Sequence, residues 1–260
     1  MQQKSRAFLK WAGGKYSLVE DINARLKQAS QQADTLVEPF VGAGSVFLNS
    51  DFKHYILNDI NADLINLYKE LKNSPDEFIS DAKKLFVDLN NHPDAYYEYR
   101  VQFNQSSDIY ERAMLFLYMN RHGYNGLCRY NLKGIFNVPF GKYKKPYFPE
   151  KEMYFFAKKA QQATFTCLDY DDIFKLVPKN AVIYCDPPYV PLSKTASFTS
   201  YAKGGLNLDD QANLANLAEQ AAFENDTPVL ISNHDTVLTR KIYSQATLDQ
   251  IQVKRTISPK

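Results

Sequence analysis

Five short apolar runs, each ending in polar or turn-forming residues, constrain this chain more than any other feature. They are Thr35-Leu36-Val37-Glu38-Pro39-Phe40, Tyr55-Ile56-Leu57-Asn58-Asp59, Thr164-Phe165-Thr166-Cys167, Ala181-Val182-Ile183-Tyr184-Cys185 and Val229-Leu230-Ile231-Ser232. A strand with one solvated face alternates polar and apolar residues, whereas apolar runs need cover on both faces. Helical spacing fills the intervals. One helix begins near Ser45, a second runs through Leu64, Leu67 and Leu71, and a third spans Asp209 to Phe223 with Leu214, Leu217 and Ala221 inward. The alternation predicts an α/β fold, with a doubly wound, mostly parallel sheet covered by helices.

After Lys72 the strand signals stop. Residues 75–120 keep helical spacing, with Phe78, Ala82, Leu85 and Phe86 on one face and Ala113, Phe116 and Leu117 on another. The sheet is therefore expected from residues 1–72 and 161–260, and residues 73–160 form an inserted, mainly helical domain. Charge marks the same insertion. The chain carries 31 basic and 29 acidic residues, a net of only +2. Yet no Asp or Glu occurs from Arg112 to Pro149, where Arg112, Arg121, Arg129, Lys133, Lys142, Lys144 and Lys145 supply seven positive charges. The remainder of the chain is mildly acidic, so a basic segment is set into an acidic body.

Other classes are disfavoured. No apolar run reaches the length of a membrane span, and the N-terminus lacks the apolar core of a secretory signal. Cys128, Cys167 and Cys185 are odd in number and form no close metal-type pair, which suits free thiols in a reducing cytoplasm. His54, His92, His122 and His234 are scattered, so no metal site is expected. Neither a Gly-x-Ser-x-Gly elbow nor a phosphate loop of the Gly-x-x-x-x-Gly-Lys-Ser/Thr type is present.

Sites in open α/β sheets gather at the carboxyl ends of strands. After the first strand, Phe40-Val41-Gly42-Ala43-Gly44 permits a sharp turn and close approach of a ligand, although a plain tight turn explains two glycines as well. Asp59 ends the second strand, where a carboxylate accepts both hydroxyls of a ribose; a helix N-cap is the other reading. Asp169, after the third strand, has two readings, a carboxylate reaching the base of a bound nucleoside or a helix N-cap. After the fourth come Asp186-Pro187-Pro188-Tyr189. The prolines end the sheet and remove two backbone donors, leaving a carboxylate, acceptor-only carbonyls and an aromatic ring. That set suits an amine on a flat ring: the carboxylate and a proline carbonyl each accept one N–H, and Tyr189 stacks on the ring. Asn233-His234-Asp235 follows the last strand, as a neighbour of this site or as a turn and cap. Asp171-Asp172 reads as a helix start.

With FVGAG, Asp59 and DPPY in that order, the chain resembles the amino-methyltransferases that use S-adenosylmethionine. Residues 8–15 (FLKWAGGK) and 120–129 (NRHGYNGLCR) narrow the resemblance to the Dam family of DNA adenine methyltransferases, which methylate adenine within GATC. The likeness runs from Arg6 to about Ser258. It implies a methyltransferase (Rossmann-like) sheet and a catalytic set of Asp186, Pro187, Pro188 and Tyr189. Trp11, Lys15, Phe40, Gly42, Asp59 and Asp186 match cofactor-contacting positions. The position of Tyr124 inserts into the duplex, and Arg129 reads a guanine edge, the commonest specific contact in the major groove. Leu127 and Pro139 match apolar base contacts, and Lys10 reads the first guanine. Arg100, Asn120, Arg121, Lys142 and Lys144 are expected phosphate anchors, and Asn125 belongs to the same run. The acid-free segment with its nine aromatics is thus expected to meet DNA.

The target base must leave the helix to be reached. Residues 191–206, polar and glycine-containing, are expected to form a mobile loop ordering over the flipped adenine. Family members continue past the equivalent of Ile257-Ser258 into a final strand, whereas this chain stops at Lys260, so residues 251–257 are expected to form an exposed sheet edge. The combined reading is a monomeric enzyme methylating the exocyclic amine of adenine in duplex DNA. The alternatives are the same chemistry on another site or on RNA, and a non-catalytic DNA-binding regulator.

Overall fold

The structure, a computed structural model, describes residues 4–29, 32–189 and 206–253. Five strands, β1 (Thr35–Glu38), β2 (His54–Asn58), β3 (Ala163–Thr166), β4 (Ala181–Cys185) and β5 (Val229–Ile231), form one sheet in the order β3-β2-β1-β4-β5. Every pairing is parallel, with Glu38 opposite Leu57, Val37 opposite Ile183 and Cys185 opposite Ile231. The strands fall within two residues of the five apolar runs, and the alternation of side chains explains why those runs carry so little polarity. Leu36, Tyr55, Leu57, Val182 and Tyr184 enter one core, while Val37, Ile183 and Cys185 enter a second on the opposite face. Both faces of β4 are sealed, and all five of its residues are buried.

Helices α1 (Val19–Ala29), α2 (Ser45–Asn49) and α3 (Ala62–Asn73) flank the first half of the sheet, and α8 (Tyr170–Lys175) and α9 (Leu208–Phe223) cover the second core through Ile173, Leu214 and Ala221. The short α10 (Val237–Ile242) follows β5. Between α3 and β3 the chain forms α4 (Pro75–Lys84), α5 (Pro93–Gln105), α6 (Ile109–His122) and α7 (Glu150–Ala160), with an irregular stretch between the last two. The side chains of α6 from Leu115 to His122 are buried all round, and Phe103, Phe116, Tyr118 and Phe136 join the core of the first sheet face without a break. Phe156 of α7 packs between Phe8, Tyr68 and Phe165, so α7 belongs to the wall of the sheet.

Two contacts tie the insertion to the sheet. Arg112 of α6 binds Asp63 of α3 through two nitrogens, at 2.9 and 3.0 Å, and Tyr130 donates to Asp63 Oδ2 at 2.6 Å. Arg112 also donates to the carbonyls of Phe103 and Ser106. A charge counted above as part of a basic segment is therefore neutralised internally. The expected edge segment 251–257 is described only to Val253, and residues 251–253 are not in a strand. Of the expected loop 191–206, all but Leu206 lies outside the described residues. Among the described residues, no helix is long and apolar enough to cross a membrane.

Candidate active site

The strand order places a crevice where β1 lies between β2 and β4, the point at which successive connections leave in opposite directions. A cavity of about 1090 Å³ opens there, at the carboxyl ends of the strands. It gathers residues widely separated in the chain: Trp11 and Lys15, Phe40 and Gly42 after β1, Asp59 after β2, Asp169 after β3, and Asp186 to Tyr189 after β4. All six expected cofactor positions and all four expected catalytic positions share this one cavity.

Gly42 has φ +47°, in the left-handed region that favours glycine, and a Cβ there would lie 2.9 Å from Trp11 Nε1. The turn is clamped from three sides. Gly42 N–H donates to Asp59 Oδ2 at 3.1 Å, Tyr68 Oη donates to the Gly42 carbonyl at 2.6 Å, and Val41 N–H donates to the Asn58 carbonyl at 2.7 Å. Gly42→Ala is accordingly expected to lower stability by about 1–3 kcal/mol and weaken nucleoside binding in the cavity at least 10-fold. Thermal unfolding and titration calorimetry check the two effects.

Asp59 does not cap α3. Asn61 does, accepting from the N–H groups of Asp63 and Leu64, while Asp59 Oδ1 accepts from Asn61 N–H at 3.0 Å. The carboxylate thus joins the β1 and β2 loops. Burial raises its pKa and the two N–H donors offset part of that rise. Asp169 occupies the N-cap position of α8, yet its side chain makes no capping bond. Phe40 packs against Tyr170 at 5.5 Å and forms an apolar flank of the cavity.

In the Asp186-Pro187-Pro188-Tyr189 stretch, Asp186 Oδ2 pairs with Lys15 Nζ at 2.7 Å, the two side chains being 20% and 8% exposed. Lys15 Nζ also donates to the Gly13 carbonyl at 2.7 Å and lies 4.7 Å from the Tyr189 ring centre. Burial raises the Asp186 pKa against the pull of Lys15. Asp186 Oδ1 is buried without a hydrogen-bond partner among the described residues.

Three buried residues that sequence reasoning passed over organise the site. Glu38, at the end of β1, is 2% exposed, with Oε1 unpartnered among the described residues; burial, then the nearby Asp186, push its pKa up to about 8. Its only sequence signal is an acid standing directly before the Pro-Phe-Val-Gly turn. Asn58 donates to the carbonyls of Pro39 and Leu168, and its Oδ1 accepts from Leu168 N–H and Thr166 Oγ1. One amide thereby fastens the ends of β1, β2 and β3. Gln211, on the first turns of α9, donates to the Pro188 carbonyl at 2.9 Å. The ring of His234 packs edge-on to Tyr189 at 4.5 Å, so the turn after β5 does adjoin the site. The cap of α10 is Thr236, not Asp235. Asp171 and Asp172 lie in the first turn of α8, and among the described residues no group of His, Cys, Asp or Glu is placed to hold a metal ion.

The expected DNA-contacting residues separate into two groups. Tyr124, Asn125, Arg129, Pro139, Lys142 and Lys144 are exposed, Leu127 and Arg100 half-buried. Arg129 reaches the cavity rim, with its Nε donating to Asn137 Oδ1 at 2.8 Å. Arg100 is held by the Val138 carbonyl at 3.0 Å. Asn120 and Arg121, in contrast, face inward. Asn120 is wholly buried, bonds Lys10 at both its N–H and its carbonyl, and donates to the Gly126 carbonyl. Arg121 is 8% exposed and donates to the carbonyls of Tyr147 and Phe8. Asn120 has no exposed surface and Arg121 little, and these hydrogen bonds of both run to backbone groups of the protein, unlike the outward phosphate anchors the sequence suggested. Together with Arg112, they show that five of the seven positive charges remain outward. Lys10 Nζ lies 3.6 Å above the Tyr143 ring, and burial with the adjacent Arg121 brings its pKa down to about 8. Gly126 has φ +63° and allows this approach, since a Cβ would lie 2.2 Å from Lys10 Cβ.

Comparison with known proteins bears on the same residues. The D12 class N6 adenine-specific DNA methyltransferase family matches residues 11–257. The chain is 60% identical over 256 residues to a DNA adenine methylase of Vibrio cholerae, covering 98% of this chain and 91% of that one. It is 57% identical to the DNA adenine methylases of Serratia marcescens and Escherichia coli K12, covering 98% of this chain and 93% and 90% of theirs.

Proposed function

Because this chain belongs to the D12 class of N6 adenine-specific DNA methyltransferases, we propose that it methylates the N6 amine of adenine in GATC duplex DNA, using S-adenosylmethionine on a base turned out of the helix. The observation that carries this reading is the single cavity joining the glycine turn, Asp59 and the Asp186-Pro187-Pro188-Tyr189 stretch, with Arg129 at its rim.

The cavity fits the cofactor on its own evidence. Glu38 Oε1 and Asp186 Oδ1 are buried atoms without a hydrogen-bond partner among the described residues, and both acids favour a cationic guest beside them, Glu38 once it gives up its proton. The missing side chain of Gly42 lets the Trp11 ring close over the turn at the cavity wall, since a Cβ would lie 2.9 Å from Trp11 Nε1. When bound, S-adenosylmethionine supplies an electrophilic methyl group on a sulfonium. Trp11, Lys15, Phe40, Gly42, Asp59 and Asp186 are the residues that would hold it, with Asp59 accepting from the ribose hydroxyls and Phe40 flanking the adenine.

The protein's part in the transfer is orientation and charge. Asp186 and the Pro187 carbonyl accept the two N–H groups of the target amine, and Pro188 and Tyr189 shape the slot, with the Tyr189 ring against the base. Holding both hydrogens away from the ring plane frees the nitrogen lone pair from conjugation. The carboxylate also stabilises positive charge growing on that nitrogen.

Recognition falls to Lys10 together with residues 73–160, the latter read as the target-recognition domain inserted in a catalytic domain of 1–72 and 161–260. Arg129 reads a guanine edge, Lys10 the first guanine, and Leu127 and Pro139 give apolar base contacts. Tyr124, half exposed beside Asn125, enters the base stack. Lys142, Lys144 and Arg100 anchor phosphates. Asn120 and Arg121 support this surface from beneath. The enzyme is read as acting on DNA as a monomer. The three free cysteines suit the cytoplasm.

The test is incorporation of labelled methyl into a GATC duplex, with a fully methylated duplex, an unrelated duplex and RNA as controls. Incorporation only into the unmethylated GATC duplex is expected; transfer to the controls, or none to GATC, overturns the reading. Neutralising Lys142 and Lys144 together is expected to weaken binding to any duplex and flatten the salt dependence by a slope of about 2. Arg129→Ala is expected to cost about 1–3 kcal/mol of discrimination at one guanine while leaving that slope nearly unchanged. Fluorescence anisotropy across a salt series measures both.

A further inference from the structure

A Pro-Pro stretch has no N–H groups, so it cannot fix itself by donating bonds; only its carbonyls offer handles. In the reading above, the Pro187 carbonyl must stay free for the target amine. The Pro188 carbonyl is then the handle available, and it is taken by Gln211 Nε2 at 2.9 Å. Gln211 is 1% exposed, and its other end is equally committed. Its Oε1 accepts from Asn233 Nδ2 at 3.0 Å and Tyr243 Oη at 3.2 Å. Asn233 Oδ1 in turn accepts from His234 N–H at 2.8 Å, and the His234 ring packs edge-on to Tyr189 at 4.5 Å. One buried amide thus reaches both the carbonyl before Tyr189 and the turn that supports the Tyr189 ring.

We infer that Gln211 is a positioning residue for methyl transfer, setting through the Pro188 carbonyl and the Asn233–His234 turn where the amine acceptors and the Tyr189 ring stand. The inference rests on the assignment of Asp186, Pro187 and Tyr189 to the target amine. Gln211 itself is buried behind the cavity and does not line it. A buried amide with a donor toward one loop and an acceptor toward another is costly to leave unpaired, so both loops are held by the same group.

Two variants test it. Gln211→Met keeps the volume and removes every hydrogen bond. Its single-turnover transfer rate is expected to fall about 30- to 100-fold, while the dissociation constants for cofactor and for GATC duplex stay within 3-fold. In Gln211→Glu, the protonated carboxyl reproduces the donor toward Pro188 and the acceptor toward Asn233 and Tyr243, whereas the ionised form repels the Pro188 carbonyl. Its transfer rate is therefore expected to stay within 3-fold of the parent near pH 6 and to lose at least 10-fold by pH 9, relative to the parent. Calorimetry and a duplex carrying 2-aminopurine at the target position supply readouts apart from turnover. The fluorescence of the extruded base should differ between the Met variant and the parent.

A Met variant that transfers at the parental rate overturns the inference, as does one that loses cofactor and duplex binding in step with transfer. If the Met variant does not fold, a Glu variant whose rate follows the parent at every pH overturns it equally. Full transfer by Asp186→Ala would instead remove the underlying assignment, whatever Gln211 does.

Discussion

Replacing Asp186 with Asn is expected to lower the single-turnover rate of methyl transfer by about 10²–10⁴-fold, with duplex binding changed less than 3-fold. The size follows from two losses at one atom pair. The Asp186 side chain is one-fifth exposed, Lys15 at 2.7 Å pairs with Oδ2, and Oδ1 has no hydrogen-bond partner among the described residues. An amide is neutral, so it opposes growing charge on the amine only weakly, and removal of one such group costs several kcal/mol in a dry site. Asn also presents an NH2 either to Lys15 or to the amine, both of which are donors. Rapid-quench measurement of the first turnover isolates this step from product release. A variant retaining a fifth of the parental rate would exclude the carboxylate from the transfer.

Glu38→Gln is expected to move stability and cofactor affinity in opposite directions. With a folded-state pKa near 8 against an ordinary value of 4.5, the buried carboxyl keeps a proton that the unfolded chain gives up. The sign follows by linkage. Below pH 4.5 both states are protonated and the acid costs nothing; between 4.5 and about 8 the cost grows; above 8 it is complete. Gln removes that cost, so the variant should be more stable than the parent by a few kcal/mol, roughly 3–5, at pH 8.5 and by almost nothing at pH 4.5. Thermal unfolding at the two pH values compares them. At pH 8.5, where the parental carboxyl is ionised, affinity of the same variant for S-adenosylmethionine should fall at least 10-fold, because a neutral amide replaces a charge beside a cation. In the parent, that affinity should rise from pH 6 to pH 8 as the carboxyl ionises, a slope the variant should lose. Equal cofactor binding by parent and variant across that range would place Glu38 outside the binding role.

Much of this arrangement was legible before any coordinates. The five apolar runs became five parallel strands, because side-chain alternation places such runs in two cores. The residues at the ends of those runs marked the cavity, since glycine, proline and acidic residues at strand ends have specific local geometry. The Dam-family resemblance carried the rest of the functional reading, and the family is the one the comparisons return.

The polar residues were read less well. Arg112 and Arg121 looked like members of a DNA-facing charge cluster, yet one is paired with Asp63 and the other buried against Tyr147 and Phe8. Asn120 read as a phosphate anchor and is instead the brace behind Lys10. Asn58 stood in a quoted motif without being noticed, because its partner Leu168 lies 110 residues away.

Residue order alone sets where the strands run, where the chain turns and which residues stand at the strand ends. Those properties follow from side-chain period and backbone freedom, which act over a few neighbouring residues. Which charged and amide side chains are withdrawn from water, and what they meet there, depends on how distant elements pack together. Glu38, Asn58, Asn120, Arg121 and Gln211 are ordinary letters in the sequence. Their roles come from burial, which makes an unpaired polar group costly and so forces each into partnerships with distant parts of the chain, or, for Glu38, into holding its proton.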